Sequence, residues 1–194
     1  MNDSDDKLAV LWEERAIEKV MLRFGRSLDL GDWPGYRSCF TERVHIDFKR
    51  LTGFDEIKVS ADLWTRFAEL IQSPVRRHHA YSNFQAEIDG DTARATTYFA
   101  ARVWSATDRG GPTYTEYGWY QAVFIRAADQ WLISRIKHDY LWVEGNMGIF
   151  TMDDPQLVAV MRELFSEDNV AAARADPIIK RQVKSQSGGG TRGV

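Results

Sequence analysis

Residues 77–105 read RHHAYSNFQAEIDGDTARATTYFAARVWS, and this stretch decides the fold. It contains two long segments with a period of two, separated by Asp89-Gly90-Asp91, which suits the positive φ of a hairpin turn. Four segments of this kind follow one another along the chain, at 77–88, 92–105, 113–127 and 131–143. Each is longer than an average strand, so the sequence predicts four antiparallel strands in a strongly twisted and curved sheet.

The chain before these strands has the 3.6-residue period of helices instead. The apolar stripe of the first helix consists of Ile17, Val20, Met21, Phe24 and Leu28. Gly31 ends that helix, because glycine readily takes the left-handed conformation that follows a helix end. Asp32 caps a short second helix. A third helix is predicted to open at Asp55 and to end at Ser73-Pro74.

The order of these elements predicts the architecture. Helices that precede the strands, rather than alternate with them, indicate an α+β fold. We expect a cone-shaped, barrel-like fold in which the N-terminal helices pack in a strongly curved, mostly antiparallel sheet. Residues 1–150 are expected to form this cone domain, residues 151–183 a C-terminal helical extension, and residues 184–194 a flexible tail.

The composition argues against several classes of function. The 194 residues are 44% hydrophobic and 27% charged, which is typical of a soluble globular protein. A net charge of -3 without a basic stripe argues against a nucleic-acid partner. The acidic N-terminus is unlike a secretory signal, and no apolar run reaches the roughly 20 residues of a membrane span. The single cysteine, Cys39, indicates a reducing compartment, so we expect a cytoplasmic protein without membrane contact.

Metal and cofactor motifs are equally poor. No two of the four histidines are four residues apart, as a zinc-binding helix would need; they are His45, His78, His79 and His138. Cys39 is the only cysteine in the sequence, so no cysteine pair can bind a metal ion. The glycines at 188–190 follow no strand and lack the Lys-Ser/Thr of a phosphate-binding loop. We therefore predict that the protein uses no metal ion and no organic cofactor.

Acid–base chemistry is the remaining possibility, and it involves Asp29 and His79. Asp29 lies at the end of the first helix, and His79 lies at the start of the first long strand. A helix end packed in the mouth of a curled sheet would bring the carboxylate to the imidazole and fix its tautomer. The other ring nitrogen could then take a proton from a substrate. The alternative is that Asp29 is merely exposed to solvent near a helix end, where the helix dipole disfavours a carboxylate, and that His79 has only a structural role.

Aromatic residues make up 12% of the chain, which suits the lining of a ligand pocket as well as a core. Tyr98 and Arg102 share one face of the second long strand, where Arg102 could bind a substrate carboxylate or could simply be exposed. Trp33 is a candidate cover for the pocket or for the outer face of the sheet. An apolar outer face would have to be hidden, so we expect a homodimer or homotrimer.

Several motifs in order resemble the SnoaL-like family of the nuclear-transport-factor-2-like superfamily. They are FGRSLDLGDW at 24–33, HAYSN at 79–83, IDGDTA at 88–93 and DQWLISR at 129–135. The resemblance spans about residues 8–143 and implies the same α+β cone. The branch most similar to this chain contains scytalone dehydratase and the bile-acid 7α-dehydratases. That likeness implies that an Asp–His pair, here Asp29 and His79, removes a proton next to a carbonyl and that water is expelled.

The chain departs from the family pattern at one position. The family commonly has a tyrosine five residues before the aspartate, and here that position is Phe24, which is expected to contact substrate but cannot donate a hydrogen bond to it. Candidates to supply a hydroxyl instead, and to contact substrate, are Tyr36, Tyr81, Tyr98 and Tyr120.

We therefore expect a cofactor-independent, dehydratase-like lyase or isomerase that acts on a hydrophobic, oxygenated small molecule. One alternative is a non-catalytic binding protein of the same fold, which Phe24 favours. Another is the small subunit of a ring-hydroxylating dioxygenase, which shares the fold and is mildly indicated by residues 145–150.

Overall fold

A computed structural model describes residues 3–107 and 110–176 of the chain. Its elements in chain order are α1 (Asp3–Leu30), α2 (Trp33–Arg37), β1 (Phe40–Asp47), α3 (Lys49–Thr52), β2 (Ile57–Ser60), α4 (Ala61–Gln72), β3 (Arg76–Asp89), β4 (Thr92–Trp104), β5 (Thr113–Ala127), β6 (Gln130–Gly145), a 3₁₀ turn (Met147–Ile149), α5 (Pro155–Leu164) and α6 (Glu167–Ala175). The strands form one curved, unclosed sheet in the order β2-β1-β6-β5-β4-β3. The predicted α+β cone is confirmed.

The four long strands agree with the sequence pattern to within two residues. All neighbouring strands in the sheet are antiparallel except β1 and β6, which are parallel. The register shifts within the β3–β4 pair and twice within the β5–β6 pair, and such bulges bend strands and increase their twist. At one bulge, a Cβ atom on Gly118 would lie 2.1 Å from the carbonyl oxygen of Asp139, so glycine is required there.

Helix α1 ends in a Schellman motif. Gly31 has a φ of 69°, and its amide donates to the carbonyl of Leu28 at 3.2 Å. The amide of Asp32 donates to the carbonyl of Ser27 at 2.9 Å. These bonds stop the helix directly after Leu30 and thereby fix Asp29 in its last turn. No helix in the described part of the chain has the length and apolar character that a membrane span needs.

The region after Asp55 differs from the prediction. Residues 57–60 form strand β2, and helix α4 begins only at Ala61. Ser60 caps that helix, its hydroxyl oxygen accepting a hydrogen bond from the first turn at 3.2 Å. Ile57 and Val59 are both buried, which the alternation of a strand explains and a helical stripe does not.

The segment predicted as a C-terminal helical extension contains two helices, α5 and α6. Leu157 and Leu164 of α5 are 1% and 0% exposed and belong to the main core, and α6 packs against β2. The division of the chain at residue 150 stays a prediction. The tail predicted at 184–194 lies outside the described residues.

Two apolar clusters cover the inner face of the sheet. The main core joins α1 and α4 to this face and includes Phe99. A smaller cluster at the other end of the strands consists of Val75, Val103, Tyr114 and Ile149. Along β4, Phe99 belongs to the main core and Val103 to the smaller cluster, and Ala101 between them packs against the main core.

The outer face of the sheet exposes large aromatic side chains. Tyr98 is 43% exposed and packs against Trp119 with ring centroids 6.1 Å apart. Trp142 is 49% exposed and stacks on Tyr117 at 4.7 Å. Such a face suits an interface between subunits, and the homo-oligomer stays a prediction.

Candidate active site

Asp29 and His79 form a hydrogen-bonded pair. The Nδ1 atom of His79 lies 2.7 Å from Oδ1 of Asp29, and the backbone amide of His79 donates to both carboxylate oxygens at 3.0 and 3.1 Å. The two side chains are 7% and 20% exposed for His79 and Asp29. Because an ionised carboxylate only accepts hydrogen bonds, Nδ1 carries the proton. Nε2 has no partner among the described residues and is the ring nitrogen available to a substrate.

Arg77 holds the helix end that carries Asp29 against strand β3. Its guanidinium donates to the carbonyls of Leu28 in α1, of Gln72 in α4, and of Val75, the last at 2.9 Å. A cation at the end of a helix is favourable, whereas a carboxylate such as Asp29 is not. Arg77 and the amide of His79 therefore offset the unfavourable position of Asp29.

Replacing Arg77 with methionine is expected to destabilise the protein by about 1.5–3 kcal/mol, since hydrogen bonds to a charged group have that magnitude. The measurement is urea unfolding followed by far-UV circular dichroism. Arg76→Met is the matched control, because Arg76 is exposed on the outer face and contacts Trp104. We expect the control to change the free energy of unfolding by less than about 0.5 kcal/mol. Equal losses for both variants would contradict the anchoring role of Arg77.

A cavity of about 420 Å³ lies between α1 and β3 at the edge of the sheet. It is lined by Leu22, Gly25, Arg26, Asp29, Leu30, His79 and Tyr81. Both members of the Asp29–His79 pair thus face the same space, together with apolar side chains and one phenol. Gly25 allows the phenol to approach the helix, since a Cβ atom there would lie 2.8 Å from the ring and hydroxyl of Tyr81.

Tyr81 is the candidate hydrogen-bond donor of this cavity. Its ring lies 6.3 Å from that of His79, and its hydroxyl is buried without a partner among the described residues. Burial raises the pKa of Tyr81 well above its ordinary value of 10, and the neighbouring Tyr120, Tyr36 and Asp29 raise it further. The hydroxyl is therefore neutral and free to donate to a ligand oxygen.

The other predicted contact residues are distributed between the core, the rim and the outer face. Phe24, Tyr36 and Tyr120 are core residues, 1%, 2% and 5% exposed, with the ring of Phe24 contacting the other two at 5.2 and 5.4 Å. Trp33 is half-buried, 6.4 Å from Tyr36, with the guanidinium of Arg77 over its ring.

Tyr98 and Arg102 require a correction. Both point to the outer face, where they pair in register with Ser82 and His78, whereas His79 and Tyr81 point inward. The sequence pattern shows that the two residues share a face but does not show which face is inward. They do not line the cavity.

The sequence reasoning missed three polar residues on the inner face, the partly buried Arg77 and the buried Glu116 and His138. Glu116 and His138 are 5% and 3% exposed. The sequence does contain a signal for them. They occupy positions that the alternation of the strands assigns to the inner face, where the other residues are mostly apolar, and charged residues are rarely buried there unless they are paired. Within residues 3–107 and 110–176, no group of three or more His, Cys, Asp or Glu side chains is arranged to hold a metal ion.

The sequence matches the profile of the SnoaL-like domain over residues 9–137, two thirds of the chain. The chain belongs to the SnoaL-like family. This confirms the resemblance drawn from the motifs. Among curated proteins, no sequence matches the chain.

Solved structures show where else this SnoaL-like fold occurs. The Kfla4162 protein from Kribbella flavida is 22% identical, with a TM-score of 0.62 over 67% of this chain and 91% of its own. A scytalone dehydratase-like protein from Novosphingobium aromaticivorans is 19% identical, with a TM-score of 0.60 over 70% and 89%. A type 2 hexachlorocyclohexane dehydrochlorinase is 13% identical, with a TM-score of 0.62 over 77% and 98%. At these identities the likeness concerns the fold.

Proposed function

We propose that this SnoaL-like protein is a cofactor-independent lyase or isomerase that removes a proton next to a carbonyl of a hydrophobic, oxygenated small molecule. One observation carries the proposal. The carboxylate of Asp29 holds Nδ1 of His79 at 2.7 Å, and both side chains line a partly apolar cavity that Nε2 can face. This arrangement is that of a general base with its orienting partner.

The proposed reaction uses three side chains. Nε2 of His79 takes the proton as the carbon–hydrogen bond breaks, and Asp29 stabilises the imidazolium that forms. The electron pair moves onto the carbonyl oxygen, where the hydroxyl of Tyr81 donates a hydrogen bond to the developing enolate. In an elimination, the enolate then re-forms the carbonyl, a carbon–carbon double bond forms, and the β-hydroxyl departs. That hydroxyl takes the proton back from His79 and leaves as water.

The named relatives support a lyase. A dehydratase removes water and a dehydrochlorinase removes hydrogen chloride, so both names describe an elimination on the same fold. Fold alone does not determine chemistry, and the proposal therefore rests on the Asp29–His79 geometry.

The experiment is a screen of apolar β-hydroxy ketones incubated with the protein in D₂O. Mass spectrometry reports loss of water and uptake of deuterium at the carbon next to the carbonyl. We expect at least one compound to show both with the wild type and neither with His79→Gln. Exchange or elimination that persists in His79→Gln would contradict the proposal. Tight binding of these ketones without any exchange would favour the non-catalytic binding protein.

Tyr81→Phe is expected to lower kcat about 10²-fold, the effect of removing one hydrogen-bond donor to a developing oxyanion. Because the raised pKa keeps Tyr81 neutral, the ratio of wild-type to variant kcat should stay constant from neutral pH up to about pH 10. A pH series of kcat measures this, with Tyr117→Phe on the outer face as the control. A ratio that shrinks as the pH approaches 10 would mean that Tyr81 ionises there and would contradict its role as a neutral donor.

A further inference from the structure

A second buried acid–base pair lies on the inner face of the sheet, on strands β5 and β6. The Nε2 atom of His138 is 2.9 Å from Oε1 of Glu116, and their side chains are 3% and 6% exposed. The hydroxyl of Tyr114 donates to the other carboxylate oxygen of Glu116 at 3.1 Å. No arginine or lysine among the described residues pairs with Glu116, so the pair is nearly isolated in an apolar surrounding. Burying such a pair is costly, because desolvation of the two groups opposes their mutual attraction.

Glu116 lies in register with His79, two strands away on the same face of the sheet. His79 is the register partner of Ala101, and Ala101 is the register partner of Glu116. Two strand spacings, about 9.5 Å, therefore separate the backbones of His79 and Glu116. Ala101 lies between them and is partly exposed, although Phe99 and Val103 on either side are only 4% and 6% exposed. His79 and Glu116 therefore lie on one row of the inner face, with the small side chain of Ala101 between them.

The imidazole of His138 is fixed between two aromatic rings, and one of its nitrogens has no hydrogen-bond partner among the described residues. Phe48 and Phe99 stack on its two faces, with ring centroids at 4.8 and 5.1 Å. Its Nδ1 atom is buried and has no hydrogen-bond partner among the described residues. A buried polar atom without a partner is destabilising, so Nδ1 has the position of a ligand contact. The ring also lies 5.5 Å from Tyr120, which is 6.0 Å from Tyr81 of the cavity.

We propose that the Glu116–His138 pair is the second polar end of the substrate site and binds a hydroxyl group of the substrate. The inference rests on the proposed function only in placing the reacting carbon at His79. Glu116 places an acidic group here, and no arginine or lysine among the described residues pairs with it, so the site suits a neutral group rather than a second carboxylate. A hydroxyl can donate to Nδ1 or accept from it. The substrate is then an elongated apolar molecule whose hydroxyl is remote from the reacting carbon.

The test compares two probes of equal shape, 4-phenylphenol and 4-methylbiphenyl, which differ in a hydroxyl and a methyl group. Their Kd values are measured by quenching of tryptophan fluorescence. We expect the wild type to bind the phenol about tenfold more tightly than the hydrocarbon. The double variant Glu116→Gln/His138→Phe replaces both members of the pair together and keeps an aromatic ring between Phe48 and Phe99. It should bind both probes equally, with the affinity for 4-methylbiphenyl unchanged.

Two further variants make the outcome specific. His78→Phe on the outer face should keep the preference for the phenol, and so should His79→Gln, which loses turnover. The inference is overturned if the wild type shows no preference or if the folded double variant keeps it. If the double variant does not fold, ¹⁵N NMR of the wild type tests the inference instead. Addition of 4-phenylphenol must shift the Nδ1 resonance of His138, and an unmoved resonance overturns the inference. A wild type without turnover refutes the proposed function but leaves this test intact.

Discussion

His79→Gln is expected to lower kcat/KM by about 10²–10⁴-fold, the usual contribution of a general base. Glutamine keeps an amide that can donate to Asp29, but it has no nitrogen that can take a proton. The fold should persist, because the backbone amide of residue 79 still donates to the carboxylate of Asp29. Turnover of the best compound from the ketone screen measures the effect, and thermal unfolding followed by circular dichroism measures the fold.

His78→Gln is the matched control for this prediction. His78 is the preceding residue of the same strand, is exposed on the outer face and pairs in register with Arg102. We expect this control to keep wild-type turnover. If the two variants lost turnover equally, the effect would come from a disturbed strand β3, and the role of His79 as the base would fail.

The second large effect is expected for Asp29→Asn, which should lower kcat about 10³-fold with little change in KM. The asparagine oxygen can still accept from the backbone amide of His79, so the contact between α1 and β3 remains. The negative charge that stabilises the imidazolium is lost, and the side chain can present its NH₂ group to Nδ1. The ring then adopts the wrong tautomer, which in the Ser-His-Asp enzymes costs a factor of about 10⁴.

Because Asp29 acts through His79, its test includes a readout other than rate. In ¹⁵N NMR spectra, Asp29→Asn should move the proton of the His79 ring away from Nδ1. Asp32→Asn is the control, since it removes the same charge three residues further on, and asparagine caps helix α2 as well as aspartate does. Unchanged turnover in Asp29→Asn, or a loss shared equally by both variants, would refute the orienting role.

The fold was largely predictable because its signals are local. Strand β5 has the predicted bounds, and β3, with its Asp89-Gly90-Asp91 turn, agrees to within one residue at each end, since alternation and turn chemistry act over a few neighbours. The end of α1 at Gly31 and the capping of α2 by Asp32 could be predicted for the same reason. Residues 57–60 were not, because four residues fit a strand and a helix equally well and only packing decides between them.

Part of the site could be predicted from the sequence. Asp29 and His79 are in contact as expected. The role of Arg77 could not be predicted, because its hydrogen bonds to the ends of two helices join segments that are far apart in the chain. Glu116 and His138 illustrate a stronger limit. Their register partners are Val143 and Tyr120, so the two residues are not opposite each other, and a bulge lies between them in the β5–β6 pair. A pattern with a period of two does not encode such a contact.

The measurement that tests the central claim most directly is a ¹⁵N NMR spectrum of the His79 ring in the wild-type protein, recorded at a pH at which the ring is neutral. It needs no substrate and reports which nitrogen carries the proton. We predict a protonated Nδ1, bonded to Asp29, and a bare Nε2 directed at the cavity. A ring protonated on Nε2 instead would have no basic nitrogen to offer a substrate and would contradict the assignment of His79 as the general base.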